Sequence, residues 1–450
     1  MKLFIENREY INKTMHLAWP SVMEYFLVAL VGIVDTLMVS SLGTKAVAAV
    51  GLTMNPKFVA LAIFMSLNIA VSALVARRKG QEDREGVNSI FLISILISLV
   101  LGILISVIGV AFADSIISVA GSNADTHDDA VCYFQIVIGC LLFHILSLSI
   151  NAVQRGIGNP TVAMKTNLIS NFINLSGSFL LIQGRLGLPK LGVMGAAIAS
   201  VIGTVIALCM SIASVIKKDS YVSFSFIVEH HLLVKWSALS SIIKLALPIL
   251  VEQFFMRIGF LLVAFMVARL GTKAFAANQV AMNVMGLSFS FGDGLSIAAV
   301  ALIGESLGKG FHSQAKKYVK ICSIFGSCIS ILLAVTYLIF GRHIIMLFFQ
   351  DVEVIQYGVQ IMYMLTLIVP LQVMQVVYMG SLRGAGDTLF TAIVSGIGVA
   401  IVRPLFGFIF CNIIGVGLVG IWIGVLLDQI VRVMFTAYRF RSDKWTEIKI

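Results

Sequence analysis

Twelve stretches of mostly apolar residues, each long enough to cross a lipid bilayer, govern what this chain can fold into. A bilayer core about 30 Å thick needs about 20 residues of α-helix. Leu, Ile, Val, Phe and Met dominate, and no stretch alternates like a barrel strand. Because backbone groups inside hydrocarbon must bond to one another, we predict twelve membrane helices. They lie near residues 15–40, 46–75, 88–112, 130–153, 161–183, 192–216, 243–268, 274–303, 318–340, 356–381, 388–412 and 415–438.

Charged residues are too few for a soluble chain of this length. Asp, Glu, Lys and Arg make up 12% of the 450 residues, whereas soluble domains carry about 25%. The AVILMFWYC set makes up 59%, and the mean hydropathy is +1.00. This composition also excludes intrinsic disorder. The first stretch is too long for a signal peptide. We therefore predict an all-α polytopic membrane protein.

Basic residues are divided unevenly between the two sides of the membrane. With the N-terminus inside, 23 of the 32 Lys and Arg residues lie on cytoplasmic segments and six on outer loops; three, Lys57, Arg257 and Arg403, fall within helices. Such an excess marks the cytoplasmic side. We expect a multi-pass protein of the plasma membrane with both termini in the cytoplasm. The net charge of +10 follows from this topology, so no nucleic-acid partner is expected.

An internal repeat divides the chain into two halves. Residues 17–55 align without a gap onto residues 245–283 at an offset of 228, with 16 of 39 positions identical. The string LGTKA at 42–46 recurs at 270–274. We predict an N-lobe at 1–216, a cytoplasmic linker at 217–242 and a C-lobe at 243–450. Because each lobe has six helices, the pseudo-two-fold axis runs along the membrane normal, as in transporters that work by alternating access.

The repeat does not preserve one carboxylate, Asp35, whose counterpart is Val263. An acid inside a membrane is costly and is therefore a candidate functional residue. Burial favours the neutral acid, so this group can hold and release a proton. We predict Asp35 as the cation-coupling residue. The alternative is a carboxyl locked by neighbouring hydroxyls and amides for packing.

The other acids within the predicted helices are of a different kind. Glu24 and Glu252 are equivalent in the repeat, near the cytoplasmic ends of helices 1 and 7, which favours a scaffold or gate role. Arg257 and Asp293 have no partner at helical spacing. We expect a cross-helix ion pair within the C-lobe, with Glu252 as one candidate partner, or alternatively a cation site.

A polar stripe runs along the fifth helix. Asn167, Asn171, Asn174 and Ser178 follow one another at steps of four, three and four residues, so they share one face. A stripe facing lipid is costly, so this face lines the lobe interior or a cavity. Asparagine can also bind membrane helices together. Both interpretations stay open.

Motifs of enzymes, metal sites and ATP binding are missing from the sequence. The nearest phosphate-loop lookalike, at 304–310, has the wrong spacing and Gly where Ser or Thr must bind magnesium. The six cysteines form no CxxC pair. We expect a protein that is not an enzyme and has no cofactor, metal site or disulfide framework.

Four motifs carry a family resemblance. They are VDTLMVSSLGTKAVAAVG at 34–51, QRGIGNP at 154–160, its second copy LRGAGDT at 382–388, and GVMGAAIA at 192–199. Together with the six-plus-six repeat they resemble the multidrug and toxic compound extrusion (MATE) family of bacteria, over essentially the whole chain. The resemblance implies antiport of amphipathic, often cationic compounds out of the cell, coupled to protons or sodium.

The resemblance also implies roles for particular residues. Asp35 matches the family's coupling carboxylate, and Asn151 and Asn174 match polar residues around it in the proton-coupled subgroup. The sequence departs from the family at Ser178, where many relatives have a second carboxylate. Gln372 occupies one place of the carboxylate pair of the sodium-coupled subgroup. This pattern favours protons.

We therefore expect a monomeric antiporter, in contact with membrane lipids, that exports amphipathic or cationic drugs or metabolites in exchange for protons through Asp35. Sodium coupling at the same residue is an alternative. A lipid-linked precursor flippase of the same superfamily is another, although it would need a strongly basic cavity. A channel or receptor is disfavoured by the two-lobe repeat with its one-sided carboxylate.

Overall fold

The chain is almost entirely helical in a computed structural model that describes residues 8–216, 220–448 and 450. Within these residues no β-strand occurs. The helices are α1 (Arg8–Ser40), α2 (Thr44–Gly80), α3 (Arg84–Ala111), α4 (Ala113–Val119), α5 (His127–Gly139), α6 (Leu141–Gly156), α7 (Pro160–Leu181), α8 (Gly192–Ile216), α9 (Phe224–Glu229), α10 (Trp236–Ala268), α11 (Thr272–Gly308), α12 (His312–Met346), α13 (Val352–Ala385), α14 (Thr388–Ile413) and α15 (Leu418–Arg441).

The long helices coincide with the predicted membrane stretches. Of the helices in the described residues, ten are long and apolar enough to cross a membrane; α5 and α6, bent by 45° at their junction, make eleven if counted as one. The remaining predicted stretch is α7, where the polar stripe interrupts the apolar residues. The prediction of an all-helical membrane protein is confirmed.

The packing of the chain forms two compact units. The N-unit comprises Phe26–Ile243, and the C-unit comprises Met1–Tyr25 with Lys244–Ile450. The first part of α1 therefore packs with the second half of the chain, although the repeat assigns it to the N-lobe. The lobe boundaries at 216 and 243 rest on the repeat and stay a prediction.

Equivalent ion pairs occur in the two units at the positions that the repeat relates. Lys45 pairs with Asp125 in the N-unit at 3.1 Å, and Lys273 pairs with Glu353 in the C-unit at 2.7 Å. Both the lysines and the acids are 228 residues apart. The glycine of each LGTKA copy has φ near +100°, in the left-handed region that favours glycine. The two copies of the repeat therefore share structural features as well as sequence.

Glycines allow α7 and α8 to pack closely in the N-unit. A Cβ atom at Gly203 would lie 2.7 Å from the carbonyl oxygen of Ser170, and one at Gly195 would lie 2.7 Å from that of Leu181. Small residues at membrane helix contacts let backbones approach in this way. The close contact brings the polar stripe of α7 beside α8.

The C-unit is built around α11, α13 and α15. A Cβ atom at Gly294 of α11 would lie 2.5 Å from the backbone of Val22, so glycine is needed where α1 crosses it. Trp422 of α15 is fully buried, and its indole Nε1 donates to Asn278 Oδ1 at 3.1 Å. Apolar side chains surround these polar contacts and fix the rotation of each helix.

Candidate functional site

Asp35 lies in the part of α1 that belongs to the N-unit, and the residue is half-buried. Its Oδ1 atom is buried and accepts no hydrogen bond from the described residues. Ser178 of α7 lies close enough to interact with the carboxylate, but its hydroxyl is not in hydrogen-bonding geometry. One carboxylate oxygen is therefore left without a donor, which suits a group that takes up a proton.

A lysine is the charged neighbour of this carboxylate. Lys57, on α2, interacts electrostatically with Asp35 and also with His144 of α6. The sequence marked Lys57 only as one of three basic residues within helices and gave it no role. Whether Lys57 comes near Asp35 depends on how α1 and α2 are rotated about their axes. Both helices are almost uniformly apolar, so the spacing of their apolar residues does not specify that rotation.

A chain of polar side chains leads from α7 back to Asp35. The Ser200 hydroxyl of α8 donates to Asn174 Oδ1 at 3.1 Å. Tyr133 of α5 is buried, contacts Ser200 and interacts electrostatically with Asp35. The chain of contacts runs from Asn174 through Ser200 to Tyr133, and it reaches Asp35 only through electrostatic influence, without a described hydrogen bond to the carboxylate. Sequence analysis missed Tyr133 and Ser200, whose only signal is a polar group within an apolar helix.

The rest of the polar stripe is partly enclosed. Asn167 and Asn171 are half-buried, and Ser178 is fully buried with no hydrogen-bond partner among the described residues. A cavity of about 170 Å³ adjoins Ser178. It is lined by Met38, Ser41, Ser178, Phe179, Ile182, Gln183 and Arg185. The stripe thus supplies both a helix–helix contact, at Asn174, and a cavity wall, at Ser178.

Asn151 belongs to a second polar layer. It is fully buried on α6, and its Oδ1 atom accepts from Ser211 of α8 at 3.3 Å, while its Nδ2 atom donates to no described residue. Ser211 also bonds Ser147 at 2.9 Å. The described hydrogen bonds of Asn151 connect α6 with α8 and do not reach Asp35.

The acids of the C-unit form a cluster around an arginine. Glu252 is buried, and its Oε1 atom accepts from Arg383 Nη2 at 2.6 Å and from Ser395 Oγ at 2.7 Å. Asp293 interacts electrostatically with the same arginine. Arg257 is exposed on α10. Glu252 thus forms a cross-helix ion pair with Arg383, the arginine of the RGAG motif, which the sequence analysis had not named as its partner. The pair expected for Arg257 or Asp293 stays a prediction.

Glu24 and Asp35 both lie on α1 but fall in different units. Glu24 is 5% exposed and lies in the part of α1 that packs with the C-unit. Its role as a scaffold or gate residue stays a prediction.

A second buried ion cluster lies in the C-unit. The Asp428 carboxylate of α15 accepts hydrogen bonds from Arg403 Nη2 at 2.6 Å and from Arg432 Nε at 2.8 Å. All three residues are at most 3% exposed. A Cβ atom at Gly398 would lie 2.3 Å from Asp428, so glycine makes room for the carboxylate. The i, i+4 spacing of Asp428 and Arg432 was the signal available in the sequence.

The described residues include no group of three or more His, Cys, Asp and Glu side chains that could hold a metal ion. All six cysteines are free. The chemistry of the N-unit site is therefore that of one carboxylate with an ammonium, a phenol and hydroxyls around it.

Comparison with known families identifies the chain. The profile of the MatE family matches residues 20–180 and 248–409, so it matches twice, and the two matches begin 228 residues apart. This offset is that of the internal repeat, and the two matches cover more than half of the chain. The protein belongs to the MATE family. It is a membrane transporter and not an enzyme.

Similar proteins align over almost their whole length. A probable multidrug resistance protein NorM from Thermotoga maritima is 24% identical over 97% of this chain and 93% of its own. The multidrug resistance protein MdtK of Edwardsiella ictaluri is 25% identical over 94% of each chain. The outward-facing structure of a multidrug resistance MATE family transporter superposes with a TM-score of 0.90, at 21% identity over 97% of each chain. This likeness confirms the twelve-helix MATE fold.

Proposed function

We propose that this MATE transporter exports amphipathic, often cationic, small molecules in exchange for protons, with Asp35 as the coupling carboxylate. The observation that carries the proposal is the buried Oδ1 atom of Asp35, which lacks a hydrogen-bond donor among the described residues. The names of the relatives, multidrug resistance proteins, support the substrate class.

Lys57 gives the carboxylate a partner that protonation would release. When Asp35 is ionised, the ammonium of Lys57 is its charged neighbour. A proton arriving from outside removes the negative charge, so the attraction between the two side chains ends and the polar chain through Tyr133 rearranges. For this step to drive transport, the inward- and outward-open states must differ in proton affinity. A change in the Asp35–Lys57 separation would provide that difference.

The same lysine favours protons over sodium ions. A metal cation bound at Asp35 would be repelled by the positive charge of Lys57, whereas a proton becomes part of the carboxylic acid and leaves no net charge on it. Sodium also needs several oxygen ligands, and the groups near Asp35 include an ammonium and a phenol.

At about 170 Å³ the cavity beside Ser178 has room for part of a drug-sized molecule, and its lining suits an amphipathic group. Met38 and Phe179 supply adaptable apolar surface. Phe179 makes a cation–π contact with Arg185, whose guanidinium carbon lies 3.9 Å from the ring centroid. A substrate ammonium can use the same attraction to the ring.

In the C-unit we assign Glu252, Arg383 and Asp293 to a fixed polar site or gate, with Glu24 as a further gate residue. The short ion pair at Glu252 joins α10 to α13, and Ser395 adds α14. Arg257, exposed on α10, belongs to this gate only as a peripheral charge.

We also propose that both termini face the cytoplasm, as the distribution of basic residues indicates. Labelling of single cysteines introduced into a cysteine-free variant tests this orientation. A cysteine at Lys316 should react with a membrane-impermeant maleimide only after the membrane is opened, and one at Lys190 should react in intact cells.

Efflux from proteoliposomes under an imposed pH gradient tests the coupling role. Wild type should expel a fluorescent organic cation when the gradient is applied, and Asp35→Asn should fall to the background of empty vesicles. Asp125→Asn, the same change at an exposed acid in the N-unit, is the matched control and should retain full efflux.

A parallel series with a sodium gradient and no pH gradient separates the two ions. Efflux driven by protons alone supports the proposal. Undiminished gradient-driven efflux by Asp35→Asn would end the assignment of Asp35, and efflux driven by sodium alone would replace the proton with sodium.

A further inference from the structure

A small cavity with basic and hydroxyl groups lies in the N-unit, apart from Asp35. Its volume is about 200 Å³, room for several water molecules at about 30 Å³ each. We call it the Arg78 cavity. It is lined by Leu74, Arg78, Asp83, Gly86, Ser89, Ile90, Lys235, Ser237, Ala238 and Ser241.

The cavity combines the groups that bind an oxyanion. Arg78 and Lys235 provide two cations, and Ser237 and Ser241 provide hydroxyl donors. Ser237 also lies in the first turn of α10, whose amides point out of the helix start and attract negative charge.

A buried hydroxyl without a partner points independently to a missing ligand. Ser89 is 1% exposed and lines the cavity, yet its Oγ atom bonds to no described residue. Buried hydroxyls in proteins nearly always have a hydrogen-bond partner. A ligand with acceptor oxygens in the cavity would satisfy it.

One acid in the lining of the Arg78 cavity, Asp83, would repel a bound anion. Asp83 lies 3.6 Å from Arg78, but its Oδ1 atom is occupied as the cap of α3, where it accepts from Gly86 at 2.7 Å. Arg78 also donates to Gln81. With two cations and one carboxylate, the lining carries a net positive charge.

The surroundings of the cavity are suited to the edge of a membrane. Leu233 and Trp236, which flank Lys235, are 79% and 78% exposed. Exposed Trp is typical of the level of lipid headgroups. The expected orientation places this end of the N-unit at the cytoplasmic leaflet, where basic pockets bind anionic headgroups.

We propose that the Arg78 cavity binds a phosphate group, carried by an anionic phospholipid of the adjacent leaflet or free in solution. Nothing in the transport cycle proposed for Asp35 requires it, so the two proposals stand or fall separately.

Thermal unfolding of the purified transporter in a neutral detergent tests the site. Inorganic phosphate, added at constant ionic strength against chloride, should raise the unfolding temperature in a saturable way. Lys235→Gln and Ser89→Ala should each weaken the response about tenfold, the loss expected for one charge-assisted or buried hydrogen bond. Lys165→Gln, an exposed lysine of α7 outside the cavity, is the matched control and should not change it.

A substitution with the opposite sign separates binding from a purely structural effect. Asp83→Asn removes the opposing charge but keeps an oxygen that can cap α3, so phosphate should bind several-fold more tightly. A general loss of stability would weaken the response in every variant.

Nanodiscs of phosphatidylcholine with or without phosphatidylglycerol identify the source of the phosphate. Protection by phosphatidylglycerol that is lost in Lys235→Gln, with little effect of inorganic phosphate, assigns the site to a phospholipid. The reverse pattern assigns it to a soluble phosphate. No response to either, or equal responses in wild type and Lys235→Gln, would overturn the proposal.

Discussion

At the scale of single residues, the role proposed for Asp35 depends on the positive charge of Lys57. A lone carboxylate inside a membrane must be neutral or find a partner. Here the charge of Lys57, on α2, acts on Asp35 without a described ion pair, and the buried Oδ1 atom accepts no hydrogen bond from the described residues. The absence of a donor to Oδ1 among the described residues favours the proposed coupling role over the packing interpretation.

A double-mutant cycle measures this interaction. Lys57→Met introduces the residue that the repeat has at position 285 and should lower the thermal unfolding temperature. The double variant, Lys57→Met with Asp35→Asn, should lose less unfolding free energy than the two single variants lose together. The difference, the coupling energy, should be about 1 kcal/mol, because each single change leaves one charge unpaired. Additive losses would show that the two side chains do not interact.

Burial decides which ion pairs matter for stability. Arg383 is 15% exposed and Glu252 only 2%. Arg383→Gln should lower the free energy of unfolding by about 3 kcal/mol, because it leaves a buried carboxylate without its cation. Lys273→Gln, at the exposed pair with Glu353, should leave the unfolding temperature nearly unchanged. Similar shifts for both variants in thermal unfolding would contradict this ranking.

At the scale of helices, α7 depends on its contact with α8. The polar stripe places several amides on α7 within the predicted membrane stretch, so the helix gains from a neighbour that pairs them. Asn174 has that neighbour in Ser200. Such a polar contact contributes around 0.6 kcal/mol, so close backbone packing must supply more of the stability.

Two glycine substitutions separate packing from helix propensity. Gly203→Ala places a Cβ atom 2.7 Å from the Ser170 carbonyl oxygen and should cost about 1–3 kcal/mol by forcing α7 and α8 apart. Gly51→Ala in α2 meets nothing within 4 Å and should be neutral or slightly stabilising. Thermal unfolding of both variants in one detergent provides the comparison, and equal effects would refute the packing argument.

At the scale of the whole molecule, the repeat keeps the fold but not the site. At the offset of 228, Asp35 corresponds to Val263 and Lys57 to Met285. Asn174 corresponds to Val402 and Ser178 to Phe406. The ion pairs at Lys45 and Lys273, by contrast, occur in both copies. The residues on which the proposed coupling depends therefore occur in only one half of the molecule.

Val263→Asp tests whether the carboxylate alone defines a coupling site. Val263 is 5% exposed within an apolar cluster of the C-unit, so an acid there should cost about 2.5–3.5 kcal/mol. Combined with Asp35→Asn, it should not restore efflux driven by a pH gradient, because the C-unit lacks the counterparts of Lys57 and Ser178. Restored efflux in proteoliposomes would show that a carboxylate at this position of the repeat suffices without counterparts of Lys57 and Ser178. Val263→Ala controls for the loss of the side chain.

The sequence by itself determined the membrane helices, the repeat and the intramembrane acids, because hydropathy and residue identity are local properties. It also marked the polar stripe of α7 by its spacing. Only the tertiary structure decided which charges meet. Glu252 and Arg383 are 131 residues apart, and their pairing requires the rotations of two nearly uniformly apolar helices. The pairing of Arg403 with Asp428 and the approach of the Lys57 charge to Asp35 follow for the same reason. Packing of small residues sets those rotations, and no single segment encodes them.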